Sequence, residues 1–153
     1  MATTPVWGVG GFGGSVHWFD TPSLLLISTL FGGMVFFPSI VAPVVFRSLD
    51  AAGARTFLRA LFPRYYAFII ILSVASVVPL AASLRWREGV WMVLVALSTL
   101  WVRQVLMPRI NDARDASLEG DEEAKERFER GHKLSVRINM VQMVGVLAVI
   151  CML

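Results

Sequence analysis

Along the 153 residues, apolar side chains fall into long runs at 21–46, 65–84, 89–107 and 134–153, with charged residues gathered between them. Each run is about 20 residues, enough to cross the ~30 Å hydrocarbon core of a bilayer at ~1.5 Å per helical residue. Lipid offers backbone amides no partner, so runs of this length must satisfy their N–H and C=O groups internally, as helices. The first run opens on Asp20-Thr21-Pro22-Ser23, where Thr21 suits a cap and Pro22 the first helical position.

The connections predict further helix. Between residues 47 and 64, Asp50 is a candidate cap, Phe57, Leu58, Leu61 and Phe62 are apolar, and Arg55 and Arg59 lie one turn apart. This pattern predicts a short amphipathic helix in the membrane interface, ended by Pro63. Pro108 is expected to break the third span. From Asp121 the chain reads DEEAKERFERGHK, which sets Asp121–Lys125, Glu123–Arg127, Glu126–Arg130 and Glu129–Lys133 at i,i+4, acid before base. That spacing predicts an exposed helix running into the last span, with Gly131 as its weak point. The fold class is therefore all-α: an integral-membrane four-helix bundle over 21–153, with a short interfacial helix and a cytoplasmic helical extension of the last span. A flexible Gly-rich tail occupies 1–20.

Composition agrees. Hydrophobic residues make up 56% of the chain and charged residues 16%, against about 25% charged in a soluble domain. The net charge of +3 and pI near 9.6 do not imply nucleic acid, because the basic residues flank apolar spans. Twelve of the fourteen Lys and Arg residues lie in or beside the first and third connections, leaving only Arg85 and Arg87 on the other side. The positive-inside rule puts those two connections in the cytoplasm and both termini outside, in a plasma (inner) membrane. Trp18, Trp86 and Trp91 then fall at the outer interface and Tyr65 and Tyr66 at the inner one. A single cysteine, Cys151, excludes an internal disulfide and a Cys-rich metal site.

Candidate chemistry is sparse. Residues 8–13, GVGGFG, spell a dinucleotide-binding pattern, but only seven residues precede them and no strand can form there. His17 and His132 fall on opposite faces of the membrane and cannot share a heme, so no cofactor is expected. No Asp or Glu lies inside any span, which disfavours a proton-coupled carrier. No nucleophile–base set marks an enzyme. Met34, Met140 and Met143, with Cys151 further out, could form a soft-metal ladder, although methionine also fills cores. Gly32-Gly33, Pro38 and Pro43 would kink the first span, as in packing helices or site-lining broken helices. Ser135, Asn139 and Gln142 lie at i, i+4, i+7 on the last span, with Arg137 one turn inside it and His132 just before. They form a polar seam that either joins helices or lines a pathway.

FFPSIVAPVVFR, LFPRYYAF, MPRINDARD and FERGHKLSVRINMVQM, in that order, resemble the transmembrane protein 205-like family, which includes a bacterial domain of unknown function. The matching positions are Ala42, Pro43 and Phe46; Phe62, Pro63 and Tyr66; Pro108, Arg114 and Asp115; and His132, Ser135 and Asn139. The resemblance implies a compact four-helix membrane protein and no established reaction. Animal members are associated with resistance to platinum drugs, which points toward soft-metal or drug export. The leading expectation is a small transport or resistance factor for a soft metal or small solute, working as a homo-oligomer. The alternative is a non-catalytic accessory or assembly subunit of a larger membrane complex.

Overall fold

A computed structural model of the protein describes residues 20–153. Helix α1 spans Asp20–Ser48, α2 Ala51–Ala82, α3 Trp86–Leu118 and α4 Glu122–Met152, each long and apolar enough to cross a membrane. Helix α1 packs on α2, α2 on α3, α3 on α4, and α4 back on α1, which closes a four-helix bundle. The Gly-rich segment, its GVGGFG motif, His17 and Trp18 lie outside the described residues.

The core follows from a helical stripe on each element. Ile27, Leu30 and Met34 of α1 meet Ile69 and Leu80 of α2, Met92 and Val95 of α3, and Val146 and Val149 of α4. Spacings of three and four residues put each set on one face. Other apolar residues, such as Leu25, Val78 and Val144, are exposed, as lipid-facing positions should be. Glycine sets two close approaches. A Cβ on Gly33 would lie 2.5 Å from the Phe68 ring, and one on Gly145 would overlap the Trp91 indole. Small residues at these points let α1 approach α2 and α4 approach α3.

All four expected spans lie inside the observed helices, but the helices run further. Their 29 to 33 residues correspond to about 45–50 Å. The excess projects beyond ~30 Å of hydrocarbon. Most charges gather where α1 turns into α2 and α3 into α4, here termed the basic end. The opposite, Arg85 end carries the α2–α3 turn.

The prolines behave differently from the expectation. Pro108, expected to break the third span, lies within a continuous α3, and Pro43 lies within a continuous α1. Each sits two residues after a π-helical turn, at Phe37–Val41 in α1 and Val102–Leu106 in α3. In each turn a backbone N–H reaches back five residues, from Ala42 to Phe37 O and from Met107 to Val102 O. A helical proline ring collides with the carbonyl four residues earlier. Those carbonyls belong to Ser39 and Gln104, inside the widened turns, so the extra residue accommodates the ring. Pro38 is the second residue of the first of these turns. Pro63 does not end a separate interfacial helix either. Residues 51–64 are the first turns of α2, which continues through Pro63 and Pro79. Asp50 caps that start by accepting from Gly53 N–H at 2.9 Å. Arg59 then ties it to α3, so it stands along the bundle as part of a continuous helix.

Thr21 lies within α1, since Asp20 is already helical. Helix α4 is continuous through Gly131, where the missing Cβ admits the Ile110 side chain. Three of the four i,i+4 pairs form: Glu123–Arg127 at 3.6 Å, Glu126–Arg130 at 3.9 Å and Glu129–Lys133 at 3.7 Å. Asp121 instead caps α4 through Ala124 N–H and pairs with Arg127, while Lys125 turns to Glu122.

Candidate functional site

The polar residues of the last span separate into three groups. Gln142 is buried, and its Nε2 donates to Ser98 Oγ at 2.8 Å and Thr99 Oγ1 at 3.1 Å on α3. Those hydroxyls donate in turn to backbone carbonyls one turn earlier, Ser98 to Leu94 at 2.6 Å and Thr99 to Val95 at 2.7 Å. The amide is thus held in a small network, as burial requires. Asn139 Oδ1 accepts from the Tyr65 hydroxyl of α2 at 3.2 Å. Helices α2 and α4 are not neighbours around the bundle, so this bond crosses it.

Tyr65 is placed by an aromatic cluster. Its ring stacks on Phe37 with centroids 4.5 Å apart, and Phe62 and Tyr66 extend the cluster. Phe37 opens the π turn of α1. The π turn that holds Pro38 therefore presents an aromatic ring to α2.

Among the described residues, the other seam candidates make no side-chain hydrogen bond to another helix. Ser135 donates to its own helix, to His132 O at 2.8 Å. The His132 ring stacks on Phe128 at 6.0 Å, and the Arg114 guanidinium lies 4.8 Å over the same Phe128 ring. Arg137 is exposed, and among the described residues it makes no ion pair or side-chain hydrogen bond. A single face holding His132, Ser135, Arg137, Asn139 and Gln142 does not exist. At ~100° per residue Ser135, Asn139 and Gln142 share the face that Val146 and Val149 continue into the core, with His132 close to it and Arg137 turned away, but only Asn139 and Gln142 bond to other helices.

The methionine ladder does not assemble. Met34 is fully enclosed in the core and Met143 packs on that core, but Met140 is 48% exposed on the outer surface. Among the described residues no group of three His, Cys, Asp or Glu side chains is positioned for a metal.

At the basic end, Arg59 Nη2 donates to Asp115 at 2.6 Å and to Asn111 O at 3.2 Å, joining α2 to α3. This hydrogen bond, aided by the charges of Arg59 and Arg55, holds the Asp115 carboxyl below the usual aspartate range. Asp121 is lowered too, first by the Ala124 N–H it caps and then by Arg127. The resemblance-bearing residues Pro63, Pro108, Arg114, Asp115 and His132 thus surround packing contacts of the basic end. At the Arg85 end, Arg85 reaches Asp20 at 3.1 Å and the carbonyls of Met152 and Leu153 at 2.8 and 3.2 Å.

Two grooves remain. One, about 380 Å³, runs between α3 and α4 on the lipid side and is lined by Trp91, Leu94, Val95, Ser98, Arg137, Ile138, Val141 and Gln142. The other, about 550 Å³, lies on the projecting α3–α4 hairpin, with Leu106, Ile110 and Ala113 in its floor and Arg109, Asp112, Arg127 and Arg130 around it.

Sequence reasoning overlooked Ser98 and Thr99. Their signal was available, since they are adjacent hydroxyls in an otherwise apolar stretch of α3. Tyr65 was read as an interfacial anchor only. No sequence signal joined Trp91 to Gly145.

No curated protein and no solved structure matches the chain. A family model described as a domain of unknown function, DUF4149, matches residues 25–118, from the first turns of α1 to the end of α3. With more than half of its length so matched, this multi-pass membrane protein belongs to the DUF4149 family.

Proposed function

We propose that this chain is a non-catalytic accessory or assembly subunit of a larger complex in a plasma membrane, with its basic end in the cytoplasm and both termini outside. One observation carries the reading. The polar side chains deep in the bundle, Asn139 and Gln142, are engaged in bonds between helices. They act as fasteners, and a rigid bundle is what a scaffold requires. The surface that reads as partner-facing is the basic groove on the α3–α4 hairpin. Among the described residues Arg109 there stands over an apolar floor without an ion pair, beside Asp112 and the already paired Arg127 and Arg130, which suits an amphipathic segment of another chain that presents an acidic side chain to Arg109.

The resemblance to the transmembrane protein 205-like family supports the second reading, export of a soft metal or small solute by an oligomer. The divergence of Met34 and Met140 weighs against it.

The test is purification of the tagged full chain from its own membranes in mild detergent. The accessory reading expects a stoichiometric partner, lost when the exposed Arg109 is changed to Glu, which leaves the Arg127 and Arg130 ion pairs in place, while thermal unfolding of the chain stays within about 1 kcal/mol. A lone homo-oligomer would sink it. Solute flux in proteoliposomes that disappears on Asn139→Leu with Gln142→Leu would install the transport reading instead.

A further inference from the structure

The 380 Å³ groove between α3 and α4 raises a separate question, because a charged side chain opens onto a lipid-facing surface. Arg137 lies inside the last span and makes no ion pair or side-chain hydrogen bond among the described residues. A guanidinium at that depth keeps its charge and must find an anion or water. Running away from Arg137 toward the Arg85 end, the groove is walled by Ile138, Val141, Leu94 and Trp91. Its floor holds Ser98 and Gln142, already bonded to each other at 2.8 Å, so the floor is not waiting for a polar ligand.

The length is informative. Trp91 packs on α4 at Gly145. From Arg137 to that level is about 12 Å at ~1.5 Å per residue, close to the ~15 Å of one leaflet's hydrocarbon. A partner transmembrane helix would instead run across both leaflets, past the end of the groove at Trp91.

We propose that this groove is a binding site for one anionic phospholipid of the leaflet at the basic end. Its phosphate pairs with the Arg137 guanidinium, which can hold two oxygens at once. One acyl chain lies along Ile138, Val141 and Leu94 and ends against the Trp91 indole. Cationic pockets between transmembrane helices recognise acidic headgroups in this way. The site is independent of the accessory reading, since a scaffold and a transporter could equally carry it.

Native mass spectrometry of the full chain released from detergent tests the site. The probes are phosphatidylglycerol and phosphatidylcholine with identical acyl chains. Wild type should retain phosphatidylglycerol about fivefold better than phosphatidylcholine. Arg137→Gln should bring the ratio close to one, and Arg137→Lys should keep most of the preference. Val141→Trp, which fills the groove from an exposed position, should remove the adducts of both lipids without changing helicity. Equal retention by wild type, an unchanged ratio in Arg137→Gln, or full retention in Val141→Trp would overturn the site. A dimer of this chain that Val141→Trp dissolves would assign the groove to a second copy, and would overturn it too.

Discussion

Gln142 places a primary amide beside Val95 and Thr99 in the interior of the bundle. Its bonds to Ser98 and Thr99 are what make that position tolerable. Interhelical bonds of this kind contribute about 0.6 kcal/mol on average and up to ~1.7 kcal/mol. Gln142→Leu should therefore lower stability by about 1 kcal/mol in reversible unfolding from mixed micelles, because Leu restores packing volume while the hydroxyls retain their carbonyl partners. A loss above about 3 kcal/mol would mean that the amide does more than fasten α4 to α3. That Asn139 and Gln142 would be special was legible in the sequence, since they are uncharged polar groups deep in an apolar run. Their partners were not. Ser98 and Thr99 lie more than forty residues away, and only packing decides which hydroxyl faces which amide.

At the scale of elements, the basic end is held by side chains near helix ends. Arg59 connects the start of α2 with the end of α3, and Asp115 is depressed because that guanidinium donates to it. A carboxyl whose folded value lies below its unfolded value contributes stability at neutral pH, and the contribution vanishes as pH falls through the folded value. Thermal unfolding followed from neutral to acidic pH should therefore show wild type above Asp115→Asn at neutral pH, with the gap closing in acid. Because both partners are substantially exposed, added salt should narrow the gap as well. A gap independent of pH would assign the effect to packing instead. The helices themselves were legible as spans, but their continuity was not. Proline rules predicted breaks at Pro63 and Pro108. The chain keeps its helices by running α2 on through Pro63, with Arg59 bracing its start on α3, and by widening one turn ahead of Pro108. Propensity counts a local cost, whereas packing over the whole helix outweighs it.

Across the whole molecule, Arg85 holds the end opposite the basic one. From a turn where Leu84 takes a φ of 58°, it binds Asp20 of α1 and the last carbonyls of the chain, so three separate regions meet on one guanidinium. Arg85→Ala should loosen these ends locally. Amide exchange should rise about tenfold at the start of α1 and the end of α4, the loss of charge-assisted bonds worth about 1.5 kcal/mol. Exchange around Met92 and Val95 should stay slow. Uniform acceleration through the bundle would instead identify Arg85 as a support of global stability. The sequence alone determined that this chain is helical and membrane-embedded, because run length and the lack of hydrogen-bond partners in lipid are properties of each segment by itself. The tertiary structure decided which faces turn inward, that Met34 and Met140 diverge, that His132 stacks at the basic end and that Arg137 opens onto a groove. Those outcomes depend on the rotation of each helix against its neighbours, which is set by contacts such as Gly145 with Trp91 and Gly33 with Phe68. Contacts of that kind join residues distant along the chain, and no local pattern encodes them.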